Sequence, residues 1–204
     1  MRDIKIVLDN VGKRFGDKVL FENISAGFNA GQCLAVTGKN GSGKSTLLKI
    51  VAGLVRPSAG QVRFGGKELS VSERLACTGL VSPDMAMYVA LTGVENILFW
   101  TKVSGVACAA ADAAAFCCQA GLGSAGGDLV QTYSTGMRQR LKLAVLTAIS
   151  PPVWLLDEPS SNLDAGGKAF VRELIETAIR KKVAVLLATN ELEEAGYASG
   201  KIEL

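Results

Sequence analysis

The segment Gly38-Lys39-Asn40-Gly41-Ser42-Gly43-Lys44-Ser45-Thr46 constrains the fold of this 204-residue chain more than any other. It follows the apolar run Cys33-Leu34-Ala35-Val36-Thr37. It precedes a stretch in which Leu47, Leu48, Val51 and Ala52 are apolar at helical spacing. A buried strand is therefore expected to enter a glycine-rich turn and leave it as a helix over about residues 44–52. Gly53 and Pro57 mark the end of that helix. The pattern G-x-x-x-x-G-K-[ST] between strand and helix is a phosphate-binding loop. Glycines 38, 41 and 43 permit backbone angles closed to other residues, so successive N–H groups can turn inward as an anion nest. The helix adds the positive end of its dipole. Lys44 is expected to reach the β- and γ-phosphates of a nucleotide, and the Ser45 hydroxyl to ligate Mg²⁺.

Around this loop the chain reads as α/β. Residues 4–8, 18–21 and 24–28 alternate and are β-rich, punctuated by glycines 12, 16 and 31, and are expected to form short antiparallel strands. Residues 61–64 fit a return to that layer, and residues 79–81 another. From about 92 to 122 the chain is alanine-rich with few β-branched residues, an inserted helical segment. A further helix is expected over 136–149. The last third then alternates: strand 153–156, helix 165–180, strand 183–188, helix 191–198. Almost wholly apolar strands alternating with helices imply a parallel sheet covered on both faces. The expected organisation is a single domain over 1–204, with a helical subdomain inserted at about 85–135.

Composition excludes several classes. With 22 basic and 19 acidic residues, a net charge of +3 and no block of like charges, nothing points to a nucleic-acid partner. The five cysteines form no C-x-x-C pair and the chain has no histidine, so they are expected to be small hydrophobes in a reducing compartment. No apolar run is long enough to span a bilayer, and the N-terminal stretch lacks the apolar region of a secretory signal. If the chain serves a membrane, it docks on another chain that crosses it.

The strand at 153–156 ends in Asp157-Glu158. A strand buried on both faces delivers such residues to the ligand edge of the sheet. There Asp157 would hold a magnesium-bound water and Glu158 would polarise the water attacking the γ-phosphate.

The segment Tyr133-Ser134-Thr135-Gly136-Met137-Arg138-Gln139-Arg140 resembles the signature of ATP-binding-cassette (ABC) ATPases, whose usual core is Leu-Ser-Gly-Gly-Gln. Ser134 and Gly136 match; Tyr133, Thr135 and Met137 depart, in a form similar to export-type members. Phe15 sits where the family stacks an aromatic residue on adenine. Ser160-Ser161-Asn162-Leu163-Asp164 resembles the loop that contacts the second subunit. The resemblance covers essentially the whole chain. It implies a P-loop NTPase core with a mainly parallel sheet, an N-terminal antiparallel β layer and an inserted helical subdomain. It also implies ATP and Mg²⁺ as ligands and a head-to-tail pair of ATP-binding subunits, homodimeric or heterodimeric. In that pair Ser134 and the N–H of Gly136 would bind the γ-phosphate in trans. A membrane-spanning transporter subunit would couple closing and opening to transport, placing this chain in the cytoplasm on the inner face of the membrane.

Two positions depart from the family. The usual glutamine before the helical segment falls on Pro83; Ser82 or Asp84 is the candidate replacement contact, with Asp84 able to bind Mg²⁺ more strongly than an amide. The usual histidine after the last core strand is Asn190, which can donate to a phosphate oxygen but carries no titratable charge. Hydrolysis is expected to be slow and to lack a histidine-like titration. Phe99 and Trp100 are expected to pack the helical segment, while Met85, Met87 and Tyr88 are candidates to receive a helix of the membrane subunit. The length resembles that of the ATP-binding subunit of the cytochrome c maturation haem exporter. The signature form and the stop after Leu204, without a further C-terminal domain, favour export. Two alternatives stay open: a low-turnover nucleotide-binding regulator, and a soluble ABC ATPase acting on nucleic acid or ribosomes.

Overall fold

The computed structural model describes residues 4–204. Met1, Arg2 and Asp3, the head of the stretch read as lacking a secretory signal, lie outside the described residues. In chain order the elements are β1 (Lys5–Phe15), β2 (Lys18–Asn29), β3 (Cys33–Thr37), α1 (Lys44–Ala52), β4 (Ala59–Phe64), α2 (Val71–Cys77), β5 (Thr78–Val81), α3 (Gly93–Val103) and α4 (Ala110–Gln119). Two short 3-10 turns follow, then α5 (Thr135–Ile149), β6 (Val153–Asp157), α6 (Ala165–Arg180), β7 (Ala184–Ala188), α7 (Leu192–Ala195) and β8 (Gly200–Glu203). The chain divides into two compact units. Among the described residues, one holds 4–82, Pro151–Glu158 and Arg172–Leu204, the other Pro83–Ser150 and Pro159–Val171.

The first unit contains two sheets. One is antiparallel in the order β2-β1-β4, the other wholly parallel in the order β5-β6-β7-β3-β8. Leu47, Leu48, Ile50, Val51 and Ala52 of α1 join residues of both sheets in one core, including Ile6, Leu8, Phe28, Val62, Val36, Leu155 and Leu186. Full burial of one such aliphatic side chain stabilises by about 1.5–3 kcal/mol.

Three expectations are corrected here. The short N-terminal strands are two long ones, because bulges bend the ladder without ending it. The β1–β2 register shifts between Leu8 and Val11, and Asn10 and Asn23 take positive φ of 50° and 56°. Residues 79–81 join the parallel sheet beside β6, not the antiparallel layer. The final helix is only the single turn α7, and the chain then returns as edge strand β8, paired with β3 through Val36 and Ile202.

The second unit packs α3, α4 and α5 around Ile97, Ala113, Cys117, Tyr133, Leu141 and Val145, with Trp100 against the same core. Thr92 and Glu95 form a reciprocal capping box at the start of α3, which satisfies two otherwise orphaned backbone donors. Asn96, fully buried, clamps the loop before α3. Its amide oxygen accepts from Tyr88 N–H at 2.9 Å, and its amide nitrogen donates to the carbonyls of Tyr88 and Thr92 at 3.0 and 2.9 Å. Tyr88, Phe99 and Trp100 form an aromatic cluster, with Tyr88 and Phe99 edge-to-face at 4.5 Å. All five cysteines are free thiols. Cys33 and Cys117 are buried, Cys77 and Cys108 half-buried and Cys118 exposed, so small-hydrophobe packing describes only part of the set.

Candidate active site

Parallel pairing brings the site together. In the order β6-β7-β3 the register matches Asp157 with Ala188 and Val36 with Ala188, so three neighbouring strands end at one level. The glycine loop leaves β3, the Asp157-Glu158 pair leaves β6, and Asn190 leaves β7. Open parallel sheets bind ligands at this carboxyl edge.

The loop enters α1 through Gly43, at φ 109°, with no side-chain cap. A Cβ at this glycine would come within 2.8 Å of Phe21 and Leu20, so a side chain has neither the backbone angle nor the room. The first turn of α1 carries no acidic residue, which leaves its positive end free for an anion. Lys44 is buried, 5 % exposed, with its ammonium held at the loop. It donates to the carbonyls of Gly38 at 3.0 Å and Lys39 at 3.4 Å, and to Oδ1 of Asn190 at 2.7 Å. Glu158 Oε1 lies 3.9 Å from it. The Asn190 amide nitrogen in turn donates to Oδ1 of Asn40 at 2.5 Å. A cleft of about 350 Å³ is lined by Phe15, Asn40, Gly41, Lys44, Ser45, Thr46 and Glu158.

Asp157 is buried at the last position of β6, and Glu158 follows in a left-handed conformation at φ 49°. Its N–H donates to the Ala188 carbonyl at 2.9 Å, fixing the turn against β7. Left-handed backbone at a non-glycine residue is strained, and such strain gathers at functional positions. Burial raises the Glu158 carboxyl above its ordinary range. Asp157 and Glu194 push the same way, while Lys44 and the backbone N–H of Asn190 oppose. A carboxylate with raised proton affinity is a stronger general base.

Glu194 was not legible as part of this site. It is a buried carboxylate on α7, 3 % exposed, close enough to act on Glu158. Three glutamates lie within residues 191–194, and no sequence signal says which one turns inward.

Of the residues singled out from sequence, the structure gathers Phe15, the loop 38–46, Asp157, Glu158 and Asn190 in the first unit. Asp84, Ser134 and Gly136 belong to the second. Ser134 is the N-cap of α5, its hydroxyl accepting from Met137 N–H at 3.2 Å. Gly136 approaches the carbonyl of Asn162 so closely that a Cβ would sit 3.1 Å from it. Gln139 donates to the Pro159 carbonyl at 2.9 Å and Arg140 meets Asp164 at 3.2 Å, tying residues 159–164 to the helix that Ser134 caps. Asp84 is exposed in a turn, and its charge opposes the burial that lowers the Lys142 ammonium.

Ser45 and Asp157 offer hydroxyl and carboxylate oxygens, the hard donors that Mg²⁺ takes. Among the described residues no group of three or more acidic, cysteine or histidine side chains forms a metal cluster. A magnesium ion held mainly by phosphate and water needs only one or two protein ligands, so this donor set fits it. No helix of the described residues is long and apolar enough to cross a membrane.

Comparisons with known proteins agree with this geometry. Residues 21–161 match the family described as ABC transporter. The chain is 38 % identical over 192 residues to the cytochrome c biogenesis ATP-binding export protein CcmA of Rhizobium etli, covering 91 % of this chain and 88 % of that one. It is 33 % identical over 209 residues to the daunorubicin resistance ATP-binding protein DrrA3 of Streptomyces coeruleorubidus, covering 100 % of this chain and 66 % of that one. In structure it resembles an ATP-binding subunit of an ABC transporter, with a TM-score of 0.88 at 22 % identity over 98 % of this chain and 85 % of the other. It also resembles a dimeric ATP-binding cassette solved in a post-hydrolysis state with ADP and Pi, with a TM-score of 0.86 at 24 % identity over 98 % and 94 %. At these identities the structural likeness carries the fold alone. With its phosphate loop, its paired carboxylates and these relatives, the chain belongs to the ABC transporter family, as an ATP-binding subunit.

Proposed function

We propose that this chain binds and slowly hydrolyses Mg-ATP as one half of a pair of cassettes that drives an exporter through a membrane-spanning partner. The observation that carries the reading is the convergence on Lys44. A buried ammonium at the head of α1 lies 3.9 Å from the Glu158 carboxylate and 2.7 Å from the Asn190 amide, at the carboxyl edge of a parallel sheet.

In this reading Phe15 stacks on the base, residues 38–46 hold the phosphates and Glu158 takes a proton from the attacking water. Ser45 and Asp157 would hold Mg²⁺, which supplies charge neutralisation at the phosphates. Asn190 donates a hydrogen bond to the γ-phosphate without positive charge, and turnover is slow for that reason. Ser134 and the N–H of Gly136, at the start of α5, act on the nucleotide of the other copy. Asp84 remains the candidate contact replacing the family glutamine. The cassette is one domain over 1–204, with the helical part inserted at about 85–135. Relatives named for export support the direction of transport, and those named for cytochrome c biogenesis support placing this chain among exporters of that process.

The test is steady-state ATPase activity across protein concentration, with Glu158→Gln alongside. Activity that rises more steeply than linearly and disappears in the variant is expected. A strictly linear dependence would remove the shared site, and an active Glu158→Gln would remove Glu158 as the base. A low-turnover regulator is the second reading, favoured by the direct bond between Asn190 and Lys44. It predicts tight Mg-ATP binding with no turnover even when the membrane subunit is present.

A further inference from the structure

Lys13 and Phe15 lie two residues apart on β1, so strand periodicity directs their side chains to the same face. The Lys13 ammonium stands 4.7 Å from the centroid of the Phe15 ring. It also donates at 2.9 Å to the carbonyl of Arg56, in the loop between α1 and β4. The Phe15 ring is 56 % exposed at the tip of the β1–β2 hairpin, where little packing holds its plane. It lines the cleft that also holds Gly41, Lys44 and Thr46. One face of the ring is thus engaged by a cation that is itself anchored to another part of the unit. An aromatic ring has two faces, and a flat ligand needs only one.

We propose that Lys13 is a positioning residue for the nucleotide base, acting through Phe15. The cation over one face fixes the tilt of the ring and draws electron density toward itself, which favours an electron-rich purine on the opposite face. The anchoring bond to the Arg56 carbonyl keeps the ammonium from following solvent, so an exposed hairpin tip presents a preorganised platform. The inference rests on the reading of Phe15 as the base platform, and the experiment separates the two.

The test uses the full chain and isothermal titration calorimetry with two probes, Mg-ATP and Mg-tripolyphosphate. Tripolyphosphate has the phosphates without the base. Lys13→Met keeps the aliphatic stem and removes the charge, Lys13→Arg keeps a cation, and Phe15→Ala removes the platform. An exposed cation–π contact predicts about two- to fivefold weaker Mg-ATP binding in Lys13→Met. Tripolyphosphate binding should be unchanged, and Lys13→Arg should restore most of the loss. A merely structural role for Lys13 would weaken both probes alike, and that result overturns the proposal. Unchanged Mg-ATP binding in Lys13→Met, beside weakened binding in Phe15→Ala, overturns Lys13 alone. Unchanged Mg-ATP binding in Phe15→Ala overturns the platform, and the proposal with it.

Discussion

Replacing Asn190 by alanine should tighten the binding of ADP while slowing the hydrolysis of ATP. The reason lies in the contacts that Lys44 makes within the chain. Its ammonium is shared among the carbonyls of Gly38 and Lys39 and the amide oxygen of Asn190, and the Asn190 contact is the shortest at 2.7 Å. A nucleotide must draw the ammonium away from that amide. A hydrogen bond to a charged group contributes about 1.5–3 kcal/mol. Asn190 is exposed, so water recovers part of that loss, and a net cost of about 1 kcal/mol is a fair share. Removing the competitor should therefore improve ADP affinity by about fivefold. ADP is the informative ligand because it lacks the γ-phosphate that Asn190 is proposed to contact. Calorimetric titration of ADP gives the affinity, and steady-state phosphate release should show turnover reduced by at least about tenfold through loss of a donor to developing charge. ADP binding that is unchanged or weaker in Asn190→Ala would refute the competition argument.

Glu158→Gln should melt at a higher temperature than the parent at pH 8, with the gap closing at acid pH. Burial raises the Glu158 carboxyl, so the folded chain holds that proton more tightly than the unfolded chain. Stability is then lost as pH climbs from the ordinary value of 4.5 through the raised one; an equal gap at pH 4 and pH 8 would contradict this. Cys118, exposed, should react first with a thiol reagent at pH 8, whereas Cys33, whose thiol burial pushes up to about 12, should react only on unfolding. Rapid labelling of Cys33 in the native protein would show that strand β3 opens locally. Asn96→Ala should cost about 2–4 kcal/mol in chemical denaturation, because it strands the Tyr88 and Thr92 backbone groups that the side chain serves. A loss under about 1 kcal/mol would mean that water replaces the clamp.

The parts of the fold that were legible had two signals agreeing. The limits of α1 and α6 read from the sequence coincide with the structure, since helical periodicity and flanking glycine, proline or aspartate point the same way. The N-terminal ladder was less legible because a bulge at Asn10 and Asn23 breaks the alternation while leaving the pairing intact. β5 is four residues long, too short for its pattern to name the sheet it joins. β8 offers one fully apolar position, Ile202, and takes its identity from pairing with β3. In the site, residue types that chemistry demands at fixed spacing stood out: the glycines, Lys44, Asp157 and Glu158. The tether from Asn190 to Asn40 and Lys44, the inward turn of Glu194 and the left-handed backbone at Glu158 depend on contacts between distant strands, which no local pattern encodes.

That backbone at Glu158 bears on how this chain would respond to artificial selection. A left-handed non-glycine residue costs about 1–2 kcal/mol, and glycine would relieve it. The same replacement would also remove a half-buried negative charge. A library screened only for heat resistance should therefore accumulate glycine or asparagine at position 158, giving sturdier cassettes that no longer fire. A library screened for turnover should keep the glutamate and gather its stabilising changes elsewhere. The residue found at position 158 after such an experiment would report which pressure the population had felt.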